Sequence, residues 1–479
     1  MITYSLMLAR LICLLGFLFW CGVLTFKYCS FGFYDWDFAL YSQAMWSLCH
    51  GTTTASLFGT SFLADHAHFI AFLITPLYFI FRHPLTLIYL EVFSLFMGAY
   101  ILYQLAQRLT TPMTALGLLI IYIFHPANIF MLLFEFHFES LCLGLIFLLF
   151  YLQYLGRYTA FIVTALVLML VKENMALIVL MMGAYGLIFK PGGRIKWGLL
   201  PMCLGLVFFM LNMFVIMPLV RQHLTLHQSA YWGLFSWLGH TPGEILKNLF
   251  LHPLSIARQL ATLENFNFVK GTLGGFIFGT LCSPFVLLIA TPIFLQNLLS
   301  GSPMQHTLFF HYAATLVPFC AVSAVYGFAF LKKICLSWFY HALLILSLLW
   351  TAQGFMDNLP SMQRSLSFCD SKKATIREFL IRKIPPDAGV VASIIFLSHL
   401  SQRKDVYALY NVWMNTNYFT GEHPFHLPPT VHYALVDFYE PYLMFNADHQ
   451  KYQSRINKFL KTGDWRLKYN QSGMALYER

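Results

Sequence analysis

Apolar runs of about twenty residues recur along this chain from Leu6 to Trp350, separated by short polar breaks. A helix of that length crosses roughly 30 Å of hydrocarbon. The pattern predicts spans near 6–26, 85–107, 113–131, 138–155, 158–171, 174–189, 197–219, 266–281, 284–299, 307–331 and 334–353. Proline disfavours helix in its predecessor, so Cys282-Ser283-Pro284 splits residues 266–299 into a hairpin. Arg108, Arg157, the Lys190–Lys196 loop and Lys332-Lys333 then fall on one side, which the positive-inside rule makes cytoplasmic. A single long span over 266–299 would put Lys332-Lys333 on the wrong side. The expected topology has eleven spans, a cytoplasmic N-terminus and an exported C-terminus.

Four polar regions are exported in that arrangement. The first loop (27–84) carries two amphipathic helices at the interface, Asp37–Cys49 and Asp65–Phe81. The others are a tip around Phe134–Glu139, a long loop (220–265) and the tail. The tail's apolar runs at Gly389–Ser393, Val406–Tyr410, Val431–Asp437 and Met474–Tyr477 read as strands. Helices are expected at Ala374–Lys383 and His449–Lys461. The chain thus divides into a transmembrane domain (1–355) and an extracytoplasmic α/β domain (356–479), the latter long enough to hold its own core.

Composition agrees with a mainly α, polytopic membrane protein. Residues are 58% hydrophobic and 10% charged, against about 25% charged in soluble domains. The net charge of +10 sits in short loops and the tail, with no basic-aromatic platform for nucleic acid. Retention of anionic membrane lipid accounts for it better. The first segment lacks a small-residue cleavage site and reads as a retained anchor. None of the ten cysteines forms a CxxC pair; Cys29 and Cys49 share one loop and are the pair placed to bridge.

Ionisable groups are costly in a bilayer and usually mark a site. Asp35, Asp37 and Gln43 open the first loop; Asp65-His66-Ala67-His68 begins its second helix. Phe134-Glu135-Phe136-His137-Phe138-Glu139 tips the third and fourth spans, and Lys172-Glu173-Asn174 joins the fifth and sixth. The Lys/Arg topology exports all of them, which predicts one site. A carboxylate there, Asp37 or Asp35, can take the proton of an attacking hydroxyl. A cation such as Lys172 or a divalent metal (Mg or Mn) can neutralise a departing phosphate. Glu135 and His137, with His66, are the candidate ligands, although Glu-x-His is too short to be selective. The bland readings are helix capping by the aspartates, interfacial histidines, Glu135 and Glu139 pairing with nearby bases to end a span, and a self-neutralising Lys172-Glu173 turn.

From Asp37 to Trp46 the chain resembles an uncharacterised bacterial family, the domain of unknown function numbered twenty seventy-nine. The resemblance rests on Asp37, Gln43, Ala44-Met45-Trp46 and Gly51, then on His66 through Pro76 and Tyr78. Glu135-Phe136-His137, Lys172-Glu173, His311-Tyr312 with Pro318, Ile384-Pro385, His399–Arg403 and Leu476–Arg479 continue it in order. Ala39 and Ile70 stand where the family usually has Gly and Pro. The family is grouped with the GT-C glycosyltransferases. That implies an extracytoplasmic active site in a bacterial inner membrane and a polyprenyl-phosphate-linked sugar donor. It also implies a first-loop aspartate as base, which favours Asp37 over Asp35.

The resulting expectation is a lipid-phosphosugar-dependent glycosyltransferase acting on a lipid, glycan or protein acceptor. Asp37 is its base. Asp35, Gln43, His66, Lys172, Glu173, His311 and Tyr312 bind substrate, and Glu135 and His137 bind metal. Two other readings use the same residues. A transporter or flippase would line a path with them, and a non-enzymatic scaffold would work through its tail.

Overall fold

The computed structural model describes residues 2–190, 193–222, 224, 230–440 and 449–479. Parts of two expected loops, 191–192 and 223 with 225–229, lie outside the described residues. The N-terminal apolar run forms α1 (Ile2–Cys29), and the first loop holds α2 (Asp37–Cys49), a hairpin of β1 (Thr54–Ala55) and β2 (Thr60–Ser61), and α3 (Ile70–Ile80). The membrane domain continues through α4 (Leu85–Leu109), α5 (Pro112–Ile123), α6 (Pro126–Leu133), α7 (Cys142–Tyr154), α8 (Tyr158–Met169), α9 (Met175–Phe189) and α10 (Arg194–Arg221). Beyond the long loop come α11 (Pro242–Leu251), α12 (Pro253–Leu260), α13 (Leu263–Leu273), α14 (Ile277–Cys282), α15 (Leu287–Leu298), α16 (Val317–Ile334) and α17 (Ser337–Leu366).

Five of the described helices are long and apolar enough to cross a membrane, six if the bent pair α5–α6 counts as one. Shorter apolar helices stand at Phe138–Tyr154, Tyr158–Met169, Met175–Phe189 and Pro284–Leu298, where spans were expected. Besides the bend within 113–131, two expected spans differ. The one at 266–281 is broken at Gly274, whose φ of +48° a glycine tolerates and a helix does not. The one at 307–331 starts only at Val317, with Pro318 in its first turn, the place proline favours. Residues 307–316 are turns that form part of the site. Helix α17 runs to Leu366, past residue 356, and residues 65–69 are not helical.

The tail holds α18 (Ser371–Arg382), β3 (Gly389–Ala392), α19 (Ile394–Leu400), β4 (Val406–Ala408), α20 (Leu409–Met414), β5 (Val431–Asp437), α21 (His449–Thr462), β6 (Arg466–Gln471) and β7 (Met474–Glu478). The sheet order is β4-β3-β5-β7-β6, with β3 parallel to β4 and β5, and β7 antiparallel to β5 and β6. Cys29 and Cys49 are free thiols.

The tail is fastened to the first loop. His399 stacks between Tyr28 (4.1 Å) and Phe31 (3.8 Å) and donates to the Tyr28 carbonyl. Ser42 bonds Ser401 at 2.8 Å. The Gln43 amide donates to Ser56 and to the carbonyls of Arg403 and Lys404, while its oxygen accepts from Leu57 N.

Helices α14 and α16 meet through glycine. A Cβ at Gly327 would lie 1.8 Å from the Gly279 carbonyl oxygen, whereas one at Gly22 meets nothing within 4 Å. Gly327→Ala is therefore expected to cost about 1–3 kcal/mol by overpacking. Gly22→Ala should stay within roughly 0.5 kcal/mol, as surface changes do. Thermal unfolding of the two detergent-purified variants checks the difference.

Candidate active site

Four junctions between the long helices hold the candidate side chains. Asp35 and Asp37 stand where α1 turns into α2. Glu135, His137 and Glu139 occupy the break between α6 and α7, Lys172 and Glu173 that between α8 and α9, and His311-Tyr312 the turns before α16. Chain breaks leave polar backbone to be satisfied, and a membrane protein tolerates them where they are buried in protein or line a water-filled cavity.

Asp37 Oδ2 lies 3.0 Å from His137 Nε2, and His137 Nδ1 lies 3.0 Å from the Glu135 carbonyl oxygen. A carboxylate and a carbonyl only accept, so both ring nitrogens donate and His137 is an imidazolium. Burial disfavours that charge, yet the Asp37 bond and charge carry His137 above the usual histidine value. His68 is the opposite case. Its Nδ1 donates to the Val171 carbonyl at 2.7 Å and its Nε2 faces the Tyr41 hydroxyl at 3.4 Å. Burial there pushes it down to about 4 and keeps it neutral. Burial, aided by the nearby Asp37 charge, pushes Asp35 up to about 7.

Lys172 Nζ bonds Glu139 Oε1 at 2.5 Å. Although burial opposes it, Glu139 holds Lys172 above the ordinary lysine value. Glu173 accepts from His66 Nδ1 (2.8 Å) and Ala67 N (3.0 Å). His311 lies over the His137 ring at 3.6 Å, with its Nε2 3.9 Å from Glu139 Oε1. Burial and then the His137 charge drive His311 well below the usual histidine value. Glu139 Oε2 and His311 Nδ1 are buried with no hydrogen-bond partner among the described residues. Such atoms carry a desolvation cost that a bound ligand would relieve.

These groups meet at a cavity of 680 Å³, within the usual size range for small-molecule sites. Asp35, Asp37, His66, His137, Lys172, His311 and Tyr312 all line it. Gln43, Glu135 and Glu173 do not: Gln43 fastens the tail, Glu173 holds His66, and Glu135 accepts backbone N–H groups. Arg364, Tyr410 and Tyr418, which sequence reasoning did not single out, also line it. Among the described residues, Arg364 has no carboxylate within ion-pair distance.

A family model described as "Predicted membrane protein (DUF2079)" matches residues 27–476. The chain belongs to that family. No curated protein matches it in sequence. Among solved structures, this DUF2079 chain is similar to ArnT from Cupriavidus metallidurans bound to undecaprenyl phosphate. The TM-score is 0.53 at 11% identity, covering 98% of this chain and 97% of that one. The apo form of the same protein gives 0.50 at 11% identity, over 96% and 97%. That likeness establishes a GT-C-like fold for this polytopic membrane protein.

Glu135 and His137 are not placed as a metal pair. Both Glu135 carboxylate oxygens face backbone N–H groups, and His137 Nε2 faces Asp37. Among the described residues no group of three or more His, Cys, Asp or Glu side chains could hold a metal ion. As arranged, this donor set does not fit a divalent ion.

The raised Asp35 has a stability consequence. With a folded pKa of about 7 against about 3.9 unfolded, the native state retains a proton that the unfolded chain releases. Stability should therefore fall as pH rises between those two values and level off above the higher one. Asp35→Asn removes the penalty. Its unfolding midpoint is expected to exceed wild type by on the order of 2 °C at pH 8, with no difference near pH 3.5. Thermal scans across that range measure it.

Proposed function

We propose that this protein transfers a sugar from a polyprenyl-phosphate donor to an acceptor hydroxyl outside the cytoplasm, with Asp37 as general base. One observation carries the reading. Asp37 reaches a ligand-sized cavity on whose wall the cations Lys172 and Arg364 also stand. Its carboxylate bonds His137 through one oxygen and is 29% exposed.

In the proposed reaction the acceptor O–H gives its proton to Asp37 while its oxygen bonds the anomeric carbon. The bond from that carbon to the phosphate oxygen breaks with inversion, and the electron pair leaves on polyprenyl phosphate. Lys172 and Arg364 are the groups suited to stabilise that developing charge. Arginine suits it because its planar fork matches phosphate. The His137 imidazolium fixes the orientation of Asp37. His311 Nδ1 and Glu139 Oε2, both unpartnered, are suited to hold sugar hydroxyls. Asp35, His66 and Tyr312 complete the wall, and the tail residues Tyr410 and Tyr418 roof it. This scheme runs on proton transfer and fixed charge, with no step through a metal.

A path for the lipid supports the same reading. The main cavity shares Phe309 and Ser361 with a second, and the second shares Leu308 and Asn358 with a third. Trp350, Thr351, Gly354, Asn358, Ser361, Arg364 and Ser365 of α17 line this series. Their three- and four-residue spacing puts them along one face of the helix. A polyprenyl chain lying there would bring its phosphate to Arg364. The ligand bound in the ArnT structure, undecaprenyl phosphate, is of that class.

Deleting the gene is expected to leave a polyprenyl-linked sugar unspent and remove one surface sugar. Wild-type protein should restore both. Asp37→Asn should restore neither, with turnover reduced by about 10²–10⁴-fold and unchanged membrane abundance. Mass spectrometry of lipid extracts and surface glycans reads both pools. Full restoration by Asp37→Asn would remove this residue from the mechanism.

A further inference from the structure

We infer that Glu135 is a positioning residue that sets Asp37 in place and leaves its carboxylate available for chemistry; the inference rests on the reading of Asp37 as base. Glu135 is 2% exposed and absent from the cavity wall. Its Oε1 accepts from Asp35 N at 3.1 Å and its Oε2 from Phe38 N at 3.3 Å. One carboxylate therefore brackets the Trp36-Asp37 peptide from both sides.

The start of α2 explains the need. A helix leaves its first N–H groups unsatisfied, and an aspartate there ordinarily turns back to accept from them. In α2 no local side chain does so, and Trp36 occupies the capping position. The Asp37 carboxylate is directed to His137 instead. Glu135, about a hundred positions away in sequence, supplies the missing acceptor. The division of labour follows: one carboxylate caps, and the other is left for the substrate.

Glu135 also fixes the second half of the Asp37–His137 pair, because its carbonyl oxygen takes the His137 Nδ1 proton. Its own place is held from behind. Lys27, fully buried in α1, donates to the carbonyls of Leu133 and Phe134 immediately before it, and its ammonium lies 4.2 Å from the centre of the Phe33 ring. A lysine–carbonyl clamp at the end of α6 thus positions Glu135, and Glu135 positions both members of the pair. Glutamine cannot replace it fully. Its NH₂ would face one of the two N–H groups, donor against donor.

The test uses full-length protein in nanodiscs, as wild type, Glu135→Gln, Asp37→Asn and Gly22→Ala. Hydrogen exchange read by mass spectrometry should show the Asp35–Phe38 amides of Glu135→Gln exchanging about tenfold faster. The other segments, and the other two variants, should match wild type. Turnover of lipid-linked sugar extracted from the deletion strain should fall in kcat at unchanged KM, with an altered pH profile. A structural role alone would reduce the amount of folded protein and leave the pH profile of the remainder unchanged. Unaltered exchange at Asp35–Phe38, or wild-type kcat per folded molecule, overturns the assignment. So does recovery of Glu135→Gln on adding Mg²⁺ or Mn²⁺, which would make Glu135 a metal ligand. If Asp37→Asn keeps full turnover, the base reading falls, and the exchange result still reports on the clamp.

Discussion

A charge removed from water must be met by an opposite charge or by fixed dipoles, and that requirement shapes the centre of this molecule. Glu135, His137, Glu139, Lys172, Glu173 and His311 are each less than a tenth exposed. Burying any one alone would cost several kcal/mol. Together they form a closed set: Asp37 with His137, Glu139 with Lys172, Glu173 with His66, and Glu135 with two backbone N–H groups. The pairings join elements distant in sequence. Asp37–His137 joins the start of α2 to the break between α6 and α7, Glu139–Lys172 joins that break to the one between α8 and α9, and Glu173–His66 joins the latter to the segment before α3. The exceptions inside the set, Glu139 Oε2 and His311 Nδ1, face the question of a ligand most directly.

Much of the site was legible in the sequence because charges are scarce there. With 20 acidic residues in 479, Asp37, Glu135-x-His137 and Lys172-Glu173 stand out, and helix Asp37–Cys49 is observed with the expected bounds. What each carboxylate touches was not legible. Glu135 pointed to metal because Glu and His two apart suggest ligands, yet the Glu135 carboxylate turns to the N–H groups of Asp35 and Phe38 while the His137 ring turns to Asp37. Lys27 escaped notice because a single lysine ending an apolar run looks like a topology signal. Arg364 was missed because hydropathy falls after residue 353, although the helix itself continues to Leu366. Strand Arg466–Gln471 was missed for a related reason: it is exposed along its whole length and carries no apolar alternation.

Helix α17 connects the parts. Its lower length packs in the membrane domain, one face lines the chain of cavities, and its far end leads into the tail that roofs the site. A ligand bridging Arg364 and the Asp37 wall would therefore touch the junction of the membrane domain and the tail. The tail is not a loosely tethered appendage, since His399, Ser401 and the Arg403 and Lys404 carbonyls engage the loop that bears Asp37. Gln43 thus affects the site through the roof and not through the wall.

The proposed chemistry requires one pocket that joins Asp37 to a phosphate-bearing lipid. Determining the structure of the purified protein with undecaprenyl phosphate added addresses it most directly. The phosphate is expected between Lys172 and Arg364, with the lipid chain running along α17 past Ser361 and Asn358. Lipid density confined to the outer surface, with the Asp37 cavity holding only water, would contradict it.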